Sequence, residues 1–156
     1  MPADQLTEEL SRLPGFLVRR LHQINQALFA ELVAGTGVTS VQLSVLTVIG
    51  AKSGQDQSEV AEAVGADRAT MASVVARLEA AALLKRSISR QDRRQKLLAL
   101  TPKGRRVVEK AWPALRATQE TLLAPLSTDE QAQFLALLTQ LVDEGNNHGR
   151  ARLKRD

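Results

Sequence analysis

The period of the apolar residues changes between positions 84 and 100, and this change restricts the fold more than any other feature of the chain. Before it, Leu17, Leu21, Ile24, Leu28 and Leu32 recur at steps of three and four, one face of a helix. After it, Val108, Ala111, Leu115 and Leu122 form a second helical stripe, and Phe134, Leu137, Leu138, Leu141 and Val142 a third. Between them, Leu84–Ser89 and Gln95–Leu100 read as two short strands joined by the charged tip Arg90-Gln91-Asp92-Arg93-Arg94. One hairpin cannot build a core alone, so it must lean on the helices. The expected fold class is mainly α with a small β-hairpin.

Local punctuation divides the helices. Leu6–Leu13 reads as a short helix stopped by Pro14-Gly15. A strong helix follows over Phe16–Val33 and ends at Gly35-Thr36-Gly37. Thr39 with Gln42 makes a capping box for Ser40–Ala51, which is apolar nearly all round and so belongs in the core. Gly54 breaks the pattern, and Gln57–Val64 is a short helix with Val60, Ala61 and Val64 inward. Gly65 turns the chain and Asp67 caps Arg68–Ala82, whose inward face is Met71, Val74, Val75 and Leu78. Thr101, with Pro102 at the first helical position, opens a long helix reaching Ala124. Pro113 should kink that helix and Pro125 end it. Ser127 with Glu130 caps the last helix, Gly145 closes it, and the basic tail beyond reads as mobile.

Charge narrows the partner. The net charge of +4 over 156 residues conceals segregation: between Arg68 and Lys110, twelve Lys/Arg face three acids, while the flanks are net acidic. A concentrated basic block suits a polyanion, because every neutralised phosphate releases counterions. Cysteine is absent, which excludes a disulfide scaffold and thiolate chemistry. The two histidines, His22 and His148, are far apart, and no glycine-rich phosphate loop is present. No convergent catalytic set emerges, so neither an enzyme nor a metal or cofactor site is expected. Leu32–Ala51 lacks charge but contains three glycines and several hydroxyls, too polar for a bilayer span. Asp4, Glu8 and Glu9 sit where a signal peptide would need basic residues, so a cytoplasmic protein without a membrane partner is expected.

After the short N-terminal helix, the element order is four helices, a hairpin and two helices, and a tight helix-turn-helix runs straight into a basic hairpin. That is a winged helix-turn-helix arrangement. At this point the chain resembles the MarR (multiple antibiotic resistance regulator) family. The segment Asp92-Arg93-Arg94-Gln95-Lys96-Leu97-Leu98-Ala99-Leu100-Thr101-Pro102-Lys103-Gly104 resembles the family's wing signature, with Asp-x-Arg at the tip, a strand ending Leu-Thr and a glycine in the next helix. Thr39-Ser40-Val41-Gln42 resembles the start of its second helix, and Arg77-Leu78-Glu79 the end of its recognition helix. Ala82 stands where the family often has glycine. The resemblance implies a single domain over 1–156, with dimerisation helices at 16–36 and 102–148 and a DNA-binding lobe at 39–101. It also implies a homodimer on a pseudo-palindromic operator in double-stranded DNA, released by a small aromatic acid or derived thioester. The rival readings are a sequence-tolerant architectural DNA-binding protein and, more distantly, a protein–protein adaptor.

Candidate site residues follow from this frame. With the inward face assigned, Arg68, Ala69, Ala72, Ser73 and Ala76 point outward, and Thr70 lies at the border within reach of phosphate. Arg68 can donate two hydrogen bonds to a guanine edge, Ser73 can reach a base or phosphate, and Ala69 and Ala72 permit close approach. Gln57 and Ser58 open a helix whose N–H groups either meet phosphate or serve ordinary capping. Arg77 and Arg86 either contact phosphate or pair with acids such as Glu79. At the wing, the resemblance makes Arg94 the minor-groove residue, Asp92 its orienter and Arg93 a neighbour, with Arg90 and Lys96 adding backbone charge. For the effector, the resemblance points to Arg19, Arg20, His22, Gln26, Phe29, Leu43 and Trp112. Each of these also has an ordinary structural role open to it, as surface charge, core or helix packing.

Overall fold

Seven helices and one hairpin make up the described part of the chain. The computed structural model describes residues 3–52, 54–149 and 151–154. Helix α1 spans Ala3–Arg12 and α2 spans Pro14–Val33. Helix α1 stops before Pro14 as expected, and Pro14 also opens the second helix at its first position, two residues before the expected Phe16. Its missing N–H is one that a helix start leaves unpaired in any case. A 3-10 turn at Ala34–Thr36 leads to α3 (Ser40–Ala51), α4 (Gln57–Val64) and α5 (Arg68–Ala80). Strands β1 (Leu84–Ile88) and β2 (Lys96–Leu100) follow, then α6 (Pro102–Leu123) and α7 (Thr128–Gly145).

The caps read from sequence are formed. The Thr39–Gln42 and Ser127–Glu130 boxes both close, and Asp67 accepts from the Thr70 N–H. A further box, Asp56 with Glu59, starts α4. Helix α6 is one continuous helix with Pro113 inside it. Helix α5 ends at Ala80, two residues before the expected Ala82, because Ala82 turns left-handed (φ 56°) and the chain swings into β1.

Two apolar clusters form the core. The larger joins Leu46 and Ile49 of α3, Val60 of α4, Met71, Val75 and Leu78 of α5, and Leu84, Leu98 and Leu100 of the hairpin. The smaller joins Phe29 and Val33 of α2, Leu43 of α3 and Ala111 of α6. The strands pair antiparallel with Leu84 opposite Leu100 and Ile88 opposite Lys96. The segment before α4 adds a short third edge to this ribbon: Asp56 bridges to Leu97, and the Leu98 N–H donates to the Gln55 carbonyl (2.9 Å). Among the described residues, no single helix is long and apolar enough to cross a membrane. Helix α3, inside the charge-free stretch, turns Leu43, Val45, Leu46 and Ile49 into the core but leaves Val41, Ser44, Gly50 and Ala51 exposed, so it is not buried all round as expected.

Two expectations change. The α2 stripe read from sequence does not face this core: Leu17, Ile24 and Leu32 are 53%, 45% and 42% exposed, and the helix packs inward through Phe29 and Val33 instead. The described tail residues are docked as well. The Asn146 side chain brackets Leu153, donating to its carbonyl (2.7 Å) and accepting from its N–H (2.8 Å). The Lys154 N–H donates to the Glu62 carbonyl (2.8 Å), and Leu153 lies against Gly65. The described tail residues thus use α4 as a docking surface.

Candidate nucleic-acid interface

Helix α5 presents its expected outer face. Met71, Val75 and Leu78 are buried, and this rotation leaves Arg68, Ala69, Thr70, Ala72, Ser73 and Arg77 exposed. Two alanines and a serine beside Arg68 give a shallow surface that lets a helix enter a major groove closely. The Thr70 hydroxyl donates to the Asp67 carboxylate (3.1 Å), so it helps to fix the helix start. Arg68 sits at the first position of the helix, on the end that approaches DNA in this motif.

The hairpin tip is ordered by its own side chains. Buried Ser89 accepts from the N–H groups of Gln91 (3.2 Å) and Asp92 (3.3 Å). Asp92 accepts from the Arg94 N–H (2.9 Å), and its carbonyl accepts from the Gln95 N–H (3.0 Å). The aspartate therefore fixes the backbone that carries Arg94, an Asx-type turn. Arg90, Arg93, Arg94 and Lys96 are all exposed. Arg86 lies on β1 and pairs with Glu79 of α5 (3.2 Å). Of the two roles read for Arg86, the acid pair is the one formed in the free chain.

Between the tip and α4 lies an open cleft of about 550 Å³. It brings together Gln57, Ser58, Arg86, Asp92, Arg94 and Lys96 from the sequence reading, and adds Asp56, Gln95 and Leu98. At the α4 start, one Asp56 oxygen already accepts from the Ser58 (2.8 Å) and Glu59 (2.9 Å) N–H groups. The Ser58 N–H thus serves the cap. Gln95 bonds to the Asp56 carboxylate, and this bond with those from Glu59 and Ser58 holds the acid below its ordinary pKa against a weaker desolvation effect. Sequence reading missed Asp56, Ser89 and Gln95. The pattern Asp56-x-x-Glu59 was a visible capping signal, but the partnership of Asp56 with Gln95 has no local signature.

The effector candidates are dispersed within the single chain. Arg19 lies over the Phe16 ring (5.0 Å), Arg20 donates to Gln23 (2.8 Å), and His22 is on the exposed side of α2. Gln26 and Phe29 line a pocket of about 200 Å³ beside Ser40, with which Gln26 exchanges hydrogen bonds. Leu43 is buried in the smaller core cluster. Trp112, 45% exposed, lines a separate cleft of about 350 Å³ with Thr47, Leu100, Arg105, Val108 and Glu109.

Comparison with known proteins agrees with this geometry. The MarR family model matches residues 38–96, the segment from the lead into α3 to the start of β2. The transcriptional repressor NicR of Pseudomonas putida is 28% identical over 148 residues, covering 95% of this chain and 94% of NicR. Among solved structures, the regulator PcaV of Streptomyces coelicolor, in complex with its natural ligand, is 40% identical with a TM-score of 0.80; the match covers 86% of this chain and 94% of PcaV. BpsR of Bordetella bronchiseptica, whose DNA binding is regulated by 6-hydroxynicotinic acid, is 31% identical with a TM-score of 0.81, covering 85% of this chain and 95% of BpsR.

Proposed function

The chain belongs to the MarR family, and from that premise we propose that it is a homodimeric, sequence-specific DNA-binding regulator that represses transcription and leaves its operator when a small aromatic acid binds. One observation carries the DNA reading: the outward face of α5 and the arginine tip of the wing are both exposed, and a basic cleft joins the wing to α4. In this reading Arg68 and Ser73 meet base edges, and Ala69, Thr70 and Ala72 allow the approach. Gln57, Ser58, Arg77, Arg86, Arg90, Arg93 and Lys96 meet phosphate, and Arg94, set by Asp92, enters the minor groove. The work is recognition and not catalysis, in the cytoplasm where the DNA partner lies.

The dimer follows from surplus apolar surface. No described residue of α7 is buried, and Leu135, Leu137, Leu141 and Val142 stand exposed, as do Leu6, Leu10 and Leu17 of α1 and α2. Burying a leucine contributes ~1.5–3 kcal/mol, so a two-fold pairing of these helices has ample driving force. We assign residues 16–36 and 102–148 to that pairing and 39–101 to the DNA lobe. Pairing also bears on the effector: Arg19, Arg20 and His22 reach a carboxylate only if a second copy closes the open face of α2. The ring would then lie toward the pocket lined by Gln26 and Phe29, with Leu43 in the core behind it and Trp112 in a separate cleft.

Selection of bound duplexes from a random pool tests the proposal. An enriched inverted repeat with half-sites one helical turn apart, ~34–36 Å, is expected, as is its release by 6-hydroxynicotinic acid or a related acid. Equal binding of selected and random duplexes would replace this reading with the architectural one.

A further inference from the structure

Asp56 is an anion in a place that should receive anions. It lines the cleft beside Arg86, Arg94 and Lys96, where a phosphate would be repelled by a free carboxylate. Its position therefore needs a reason beyond capping, which serine or asparagine would provide without the charge. The two oxygens divide the work. Oδ1 takes the Ser58 and Glu59 N–H groups at the start of α4, while Oδ2 accepts from Gln95 Nε2 (3.0 Å), 39 residues away.

Gln95 is equally well placed. Its backbone closes the wing tip, donating to the Asp92 carbonyl and accepting from the Ser89 N–H (3.0 Å each). It follows Arg94 directly, so a restraint on its side chain is a restraint on the turn that carries Arg94. The outer half of β1 gives little other support, since Ser87 and Ile88 are exposed. We propose that the Asp56–Gln95 hydrogen bond is a positioning contact that sets the arginine tip of the wing against the N-terminus of α4, so that both engage one stretch of DNA. This rests on the DNA-binding reading above and adds two residues to it. Neither is asked to touch DNA.

A donor–acceptor exchange provides the test. Gln95→Glu places two carboxylates face to face and should free the wing. Asp56→Asn combined with Gln95→Glu restores a donor and an acceptor with the roles reversed, at the net charge of the wild type, so the counterion contribution is preserved. Asp56→Ser combined with Gln95→Glu has the same net charge and retains a helix cap, but the serine side chain is too short to reach across.

Affinity for the duplex selected on the wild-type protein would be measured by fluorescence anisotropy at several salt concentrations. Thermal unfolding would check that each variant is folded. Gln95→Glu should weaken binding about tenfold or more, the size of one charge-assisted hydrogen bond. The Asp56→Asn double variant should recover most of that loss, and the Asp56→Ser double variant should not. Equal recovery by both doubles, or wild-type affinity for Gln95→Glu, would overturn the positioning role. A wild-type protein without salt-dependent DNA binding would instead overturn the functional reading beneath it.

Discussion

At the residue scale, backbone geometry explains two positions around the wing. Ala82 adopts φ 56°, a left-handed conformation that costs a residue with a Cβ ~1–2 kcal/mol. The site is held by its neighbours: the Thr101 hydroxyl donates to the Ala82 carbonyl (2.7 Å) and Lys103 to the Ala81 carbonyl (2.9 Å). Glycine removes the strain but adds freedom to the unfolded chain, so Ala82→Gly should stabilise by about 0.5–1 kcal/mol in urea unfolding. A loss of stability would mean that the methyl group has packing value the backbone angle hides. Gly104 is the reverse case, because any side chain there would collide with the Leu83 carbonyl. Its bareness lets α6 pack directly on the chain entering β1.

The residue scale also separates the two DNA instruments. Arg94→Ala should weaken binding to every duplex and lower the salt slope, since it removes a cation from the backbone and minor-groove side. Arg68→Ala should cost ~1–3 kcal/mol on the selected duplex and less on random DNA, because it removes base readout. Titrations at fixed salt in which both variants match the wild type would sink these assignments.

At the element scale, two helix starts rest on ionised caps. Asp56 is held low by its bonds from Gln95, Glu59 and Ser58, with Arg86, Arg94 and Lys96 around the same cleft. Glu130 is held low by Ser127. A carboxyl that titrates lower in the folded state contributes stability above its unfolded pKa, about 4. That contribution disappears as pH falls through the depressed folded value. Urea midpoints should therefore decline below about pH 4, the ordinary carboxyl value, and Asp56→Asn should flatten the decline because asparagine caps without titrating. Parallel curves for wild type and variant would show that Asp56 contributes nothing to it.

Elements also show what was legible beforehand. Helices α3, α4 and α5, the hairpin and the caps at Thr39, Asp67, Thr101 and Ser127 were readable, because each depends on residues within one turn or one strand. The stop of α1 before Pro14 was readable, but its start at Ala3 and the start of α2 at Pro14 were not, since Pro-Gly can also open a helix and that choice depends on what α2 packs against. The docked tail was unreadable for a similar reason: Asn146, Leu153, Glu62 and Gly65 make no sequence pattern, and only the return of the chain beyond α7 brings them together.

At the scale of the whole molecule, the single chain leaves an apolar face uncovered. Leu141 is 69% exposed and Leu17 53%. In a two-fold interface one substitution acts twice. Leu141→Glu should therefore convert a dimer into a species of 17.0 kDa in sedimentation and weaken operator binding, since two half-sites would no longer be held together. A variant that still sediments at twice that mass would place the interface elsewhere.

The change of period between 84 and 100 was sufficient to derive a helical protein with one hairpin, and the charge around it pointed to a polyanion. Both are local properties: periodicity and caps act over one turn, and charge density needs only proximity along the chain. The tertiary structure decided which face of α2 turns inward, that Arg86 pairs with Glu79, and that Asp56 reaches Gln95 across 39 residues. The pairings of Arg86 and Asp56 depend on how α4, α5 and the hairpin close around Leu46, Val60 and Met71, and the face of α2 on how Phe29 and Val33 meet Leu43 and Ala111, packing problems that no single segment of the sequence can state.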